Sequence, residues 1–127
     1  FKAVNDTYGH PAGDAVLAEV AHRLQRAMRA SDILIRYGGE EFLILAPETD
    51  GEGAMTLGEK LCAAVSERPI VYRAADASVE ISLRASIGVA VLDDGMYDGA
   101  LLVAAADRAL YEAKEQGRDR VVLAGAS

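Results

Sequence analysis

Apolar residues recur along this chain with two alternating periods, and the alternation lays out its elements. Val16, Leu17, Val20, Ala21, Leu24 and Met28 fall at helical spacing, with Glu19, Arg23 and Arg26 on the opposite face. This predicts an amphipathic helix of about five turns over 13–30. Asp14 falls in its first turn, where a carboxylate complements the helix dipole. Ile33-Leu34-Ile35-Arg36-Tyr37 and Phe42-Leu43-Ile44-Leu45-Ala46 are short β-branched or aromatic runs bounded by turn formers, so they read as strands of one tight hairpin. After Pro47, Thr49-Asp50 supplies N-cap chemistry for a second helix, with Met55, Gly58, Leu61, Cys62 and Val65 on its apolar face and Arg68-Pro69 as its stop. Ile70–Tyr72 and Val79–Leu83 read as a second hairpin, the latter run continuing in period-two alternation through Ile87, Val89 and Val91. Asp93-Asp94-Gly95 is a turn. Leu102, Ala106, Ala109 and Ala113 then mark a third long helix ending at Gly117, and Arg120–Leu123 a last strand. Long helices interspersed with hairpins predict an α+β domain, a sheet with helices on its faces.

Composition narrows the chemistry. The 127 residues suit one domain, 1–127, with a single core. A net charge of −7 argues against non-specific binding to nucleic acid, a polyanion repelled overall, yet leaves room for a local basic cluster to hold a small phosphate ligand. The lone cysteine, Cys62, rules out an internal disulfide and suits a reducing, cytoplasmic compartment. It falls on the apolar face of a helix, which favours core packing over nucleophilic chemistry. No apolar run approaches the ~20 residues that span a bilayer, so no membrane contact by this domain is expected, although a parent protein can still be anchored.

The tip of the first hairpin is Gly38-Gly39-Glu40-Glu41. Glycines there adopt positive φ freely and leave backbone N–H groups open to a phosphate. Two adjacent carboxylates beside such a loop offer a seat for Mg²⁺, which takes one or two acidic side chains and completes its shell with water and phosphate oxygens. An isolated tip of this kind is usually just a polar turn, so its flanks decide.

Those flanks resemble the GGDEF family, the diguanylate cyclase domains, with Glu in the third signature position. Phe1-Lys2-Ala3-Val4-Asn5-Asp6-Thr7-Tyr8-Gly9-His10 followed by Gly13-Asp14 is similar to the family's first block. Ser86-Ile87-Gly88-Val89-Ala90 resembles an internal strand, and Ala106-Asp107-Arg108-Ala109-Leu110-Tyr111-Glu112-Ala113-Lys114 with Gly117-Arg118 resembles its terminal block. Four motifs in the family's order span nearly the whole chain. The resemblance implies a ferredoxin-like palm of the nucleotide cyclase type, mainly antiparallel. Phe1 opens inside the first block, so an earlier strand bearing a metal-binding Asp is expected to be missing and the domain truncated at its N-terminus.

The implied activity condenses two GTP into cyclic di-GMP with release of two pyrophosphates, in a homodimer that presents one GTP per domain, with Mg²⁺ as cofactor and Mn²⁺ as a substitute. A non-catalytic domain that binds GTP or cyclic di-GMP and signals to a partner is the alternative. By resemblance Glu40 is the metal ligand and the favoured proton acceptor, with Glu41 a second participant, and Lys2 lies beside the phosphates. Asn5 and Asp14 match guanine-recognising positions. A carboxylate accepts from guanine N1–H and its exocyclic amine, while Asn can address the other edge. His10, Gly38 and Gly39 are candidate substrate contacts. Lys114 and Arg118, four residues apart, match a pair that reaches the terminal phosphates.

Arg29-Ala30-Ser31-Asp32 ends five residues before Gly38, the register of the family's product-binding inhibitory motif, with Lys60 on the following helix as a third member. A guanidinium engages guanine or phosphate in bidentate fashion. Five strand residues at roughly 3.3 Å each put this site well over 10 Å from the hairpin tip, so its ligand would act on domain arrangement rather than by occupying the catalytic centre.

Overall fold

A computed structural model describes residues 2–36, 41–74, 77–91 and 99–124. Its elements, in order, are α1 (Lys2–Tyr8), α2 (His10–Ala27), β1 (Ile33–Arg36), β2 (Phe42–Leu45), α3 (Gly51–Ser66), β3 (Ile70–Ala74), β4 (Ala77–Ile81), β5 (Ile87–Val89), α4 (Gly99–Glu115) and β6 (Val121–Leu123). The chain is α+β, as its periodicities predict. Among the described residues, no helix is long and apolar enough to cross a membrane.

Two antiparallel hairpins and one parallel pair make up the strands. β1 runs against β2 with Ile33 opposite Leu45 and Arg36 opposite Phe42. β3 runs against β4 from Ile70–Ile81 to Ala74–Ala77. β5 and β6 are parallel, Ile87 facing Val121 and Val89 facing Leu123, and the intervening α4 packs on both. A parallel pair needs such a crossover.

The core forms where the buried stripe of α2 (Ala12, Val16, Val20, Leu24, Ala27) meets Leu61 and Val65 of α3, Ile70 of β3 and Ile81 of β4. Leu34, Phe42 and Ile44 of the first hairpin pack against this cluster partly buried. Asp50 caps α3, its Oδ1 accepting from the Gly53 N–H at 2.8 Å. That bears out the predicted cap.

Four local expectations are corrected. The first long helix starts at His10 and ends at Ala27, not over 13–30. Gly9, at φ 91°, makes the break from α1 that only glycine adopts without strain. Asp14 therefore stands beyond the first turn, which holds no acidic residue. Arg23, assigned to the polar face, is buried at 5% exposure. Its guanidinium donates to the carbonyls of Val65 (2.8 Å), Arg68 (2.7 Å) and Pro69 (3.2 Å), satisfying carbonyls left open at the C-terminal end of α3. Finally, the run from Val79 is not one strand. β4 stops at Ile81, and Ile87–Val89 belongs to the separate pairing with β6.

Candidate active site

The geometry of the site follows from one helix face and one hairpin face. Asp14, Leu17, Ala18 and Ala21 are spaced i, i+3, i+4, i+7 and so share a face of α2. Leu34 and Arg36 share a face of β1 by strand alternation, and register adds Phe42 directly across from Arg36. These seven residues line an open groove of about 510 Å³. Its walls are apolar, with one carboxylate and one guanidinium among them. Such a surface accepts a flat ring and fixes its orientation through a few polar groups. Sequence reasoning had found Asp14. Leu34, Arg36 and Phe42 it had read only as strand, although their alternation placed them on one face.

Asn5, in α1, packs against the start of α2. Its side chain lies so close to Gly13 that a Cβ there would collide with Asn5 Oδ1 and Cγ. Gly13 is thus the residue that leaves room for the Asn5 side chain against α2. Asn5 Oδ1 is buried with no hydrogen-bond partner among the described residues. A buried acceptor left unpaired costs about 1–3 kcal/mol, and a bound donor would recover it. His10 is exposed at the start of α2. Lys2 lies in α1, its side chain outside the described part.

At the tip of the hairpin, Glu41 and Lys114 come together from distant parts of the sequence. Lys114 Nζ stands 4.0 Å from Glu41 Oε1, the two side chains 38% and 43% exposed. Lys114 occupies the last turn of α4, where a cation also suits the helix dipole. Arg118 follows in the turn that ends the helix, its N–H donating to Ala113 O at 2.9 Å and its φ at 65°. Gly38, Gly39 and Glu40 lie outside the described residues. Glu41 offers the hard oxygen donor that Mg²⁺ takes, half exposed beside a lysine suited to phosphate, and this donor set fits a magnesium–phosphate site. Among the described residues, no group of three or more His, Cys, Asp or Glu could hold a metal by itself, so substrate oxygens and water would complete the shell.

The other end of the hairpin is closed. Arg29 Nη2 and Nε donate to Asp32 Oδ1 at 2.8 and 3.1 Å, and the Arg29 backbone N–H donates to Oδ2 at 2.9 Å. The same guanidinium reaches past β2 to Pro47 O (3.2 Å) and Thr49 Oγ1 (2.7 Å). Asp32 has no exposed side-chain surface, whereas Arg29 is 49% exposed. The hydrogen bond from Arg29 holds the Asp32 carboxyl below its ordinary value of 3.8, against the opposing pull of burial. Arg29 is correspondingly raised, first by its hydrogen bond to Asp32. Lys60 is exposed on α3.

Comparison with known proteins supplies the family. Residues 1–120 match the family model described as diguanylate cyclase, GGDEF domain, and the chain belongs to that family. It is 42% identical over 123 residues to Diguanylate cyclase A of Treponema denticola, covering 97% of this chain and 32% of that protein. Among solved structures it resembles the GGDEF domain of DgcB from Caulobacter crescentus in complex with c-di-GMP, with TM-score 0.85, 34% identity, and 96% and 70% of the two chains covered. It also resembles the active GGEEF domain of a diguanylate cyclase from Vibrio cholerae, with TM-score 0.82, 32% identity, and 99% and 77% coverage. The palm-like α+β fold expected of the family is the one present. The chain spans about a third of the length of the Treponema relative.

Proposed function

We propose that this chain is the catalytic domain of a Mg²⁺-dependent diguanylate cyclase that condenses two GTP into cyclic di-GMP and is inhibited by its product. The observation that carries this reading is the approach of Lys114 to Glu41, which joins the basic end of α4 to the acidic tip of the hairpin. A phosphate chain laid alongside them would meet a cation and a carboxylate-held metal at once.

Each condensation has the 3′-hydroxyl of one GTP attack the α-phosphorus of the other, in line with the pyrophosphate leaving group. The hydroxyl proton passes to a carboxylate, Glu40 in this reading, the P–O bond to pyrophosphate breaks, and a second round closes the ring. Two nucleotides face each other in a homodimer, one per domain. Asp14 accepts from guanine N1–H and the exocyclic amine, and Asn5, packed against Gly13, addresses the other edge. The apolar walls Leu17, Leu34 and Phe42 exclude water from the base. Lys2, Lys114 and Arg118 offset phosphate charge, and His10, Gly38 and Gly39 are further substrate contacts in this reading. Glu40 and Glu41 would hold Mg²⁺, or Mn²⁺ in its place, which when bound neutralises phosphate charge as the leaving group departs. Arg29, Asp32 and Lys60 form the product site at the far end of the hairpin.

Incubating the complete domain, including the strand expected before Phe1, with GTP and Mg²⁺ and identifying the nucleotide formed tests this. Cyclic di-GMP with two pyrophosphates per molecule is expected. GTP binding without turnover would instead make this a regulatory module, and any other cyclic nucleotide would assign a different cyclase chemistry.

A further inference from the structure

We infer that Arg36 sets the base preference of the groove by reading the O6 and N7 edge of guanine while Asp14 reads the opposite edge; this rests on the GTP reading above. Guanine presents two donors, N1–H and the exocyclic amine, on one side, and two adjacent acceptors, O6 and N7, toward the other. A carboxylate matches the donors. A guanidinium matches the acceptors, because its planar fork places two N–H groups at the spacing of O6 and N7. The groove carries one of each, Asp14 from α2 and Arg36 from β1, with Leu17, Ala18, Ala21, Leu34 and Phe42 as the apolar surface for the ring between them.

The placement of Arg36 is built into the register. It pairs with Phe42 and shares a strand face with Leu34, so the side chain belongs to the same wall as the two hydrophobic residues on which the ring would lie. Adenine reverses the pattern at position 6, offering an amine where Arg36 would need an acceptor, and it lacks N1–H for Asp14. Two donors would then face each other. Arg36 therefore supplies rejection as well as attraction, and its role is specificity rather than chemistry.

Arg36 is exposed, and the unfolding midpoint of each variant, measured beside its binding, separates a loss of fold from a loss of base preference. The test is equilibrium binding of guanosine diphosphate, its 7-deaza analogue and adenosine diphosphate, none of which can turn over, to the full chain and to Arg36→Ala and Arg36→Lys. The wild-type chain should bind the 7-deaza analogue roughly five- to a hundredfold more weakly than the parent nucleotide. Arg36→Ala should bind the two equally, with adenosine diphosphate gaining relative to both. Arg36→Lys, lacking the fork, should not restore the preference. A variant that weakens every nucleotide alike while keeping the 7-deaza penalty would place Arg36 on phosphate and overturn the inference. So would a wild-type chain indifferent to N7. Failure of the wild-type chain to bind any guanine nucleotide would strike the GTP reading itself and this inference with it.

Discussion

The two ends of the β1–β2 hairpin carry the same residue types in different settings. At each, an aspartate on α2 or just after it shares a surface with an arginine. At the end nearer the tip, Asp14 and Arg36 line an open groove of about 510 Å³. At the other, Arg29 and Asp32 close on each other at 2.8 Å, and Thr49 and Pro47 complete the clasp from beyond β2. The groove spaces its polar groups around apolar walls, which suits a ring that must be recognised. The clasp satisfies a fully buried carboxylate, which suits holding the strand ends in place. Any ligand drawn to Arg29 must compete with Asp32 and Thr49 for the same guanidinium, so binding there reports directly on how β1 and β2 are anchored.

The sharpest way to break this contrast is at the tip. Glu40→Gln is expected to reduce turnover about a thousandfold or more, since on the proposed reading it removes both a metal-binding charge and the proton acceptor, while the thermal unfolding midpoint stays close to wild type. Normal steady-state rates at saturating Mg²⁺ would remove Glu40 from the mechanism. Next in size is Lys114→Ala, which on the same reading takes away a phosphate partner but no acceptor. A fall in kcat/KM of roughly ten- to a hundredfold is expected, partly restored in Lys114→Arg. No change would mean that the contact with Glu41 is only a helix-end ion pair.

Smaller still is the effect at the clasp, which should appear in stability. The Asp32 carboxyl is depressed below 3.8 by Arg29, so the folded state favours its charged form. That contribution is complete above the ordinary carboxylate value and is lost as pH falls through the lower folded one. Asp32→Asn should therefore be less stable than wild type near neutrality and lose less on acidification from about pH 5 to about pH 2, as read by chemical unfolding. Parallel acid limbs would show that Asp32 is not the titrating partner.

Much of this was legible in the sequence because local signals agreed with one another. The pairing of β1 with β2 as a hairpin, the Asp50 cap and the apolar face of α3 follow from turn chemistry and periodicity alone. The motif residues Asn5, Asp14, Glu41 and Lys114 could be singled out too, but not that Glu41 and Lys114 meet, which depends on how α4 crosses β5 and β6. Arg23 shows the physical reason for the misses. On periodicity it belongs to the polar face of α2, yet the open carbonyls at the end of α3 make a polar pocket inside the core, and only the packing of α2 on α3 brings them to it. The β4–β5 break is similar. Alternation persists through it, and what divides the run is which partner each half finds. The groove itself went unread because its two walls are each ordinary amphipathic surfaces, and only their facing makes a site.

The claim that the hairpin has a substrate end and a regulatory end is tested most directly by initial rates measured against rising cyclic di-GMP for Asp14→Ala and Arg29→Ala side by side. Asp14→Ala should lower kcat/KM for GTP by roughly ten- to a hundredfold and leave the product inhibition constant near wild type. Arg29→Ala should do the reverse, weakening inhibition about tenfold or more while the uninhibited rate stays within about threefold, although its unfolding midpoint drops because Asp32 keeps only the backbone N–H of residue 29. If both variants lose rate and inhibition together, the two ends are one site or one structural unit, and the account is contradicted.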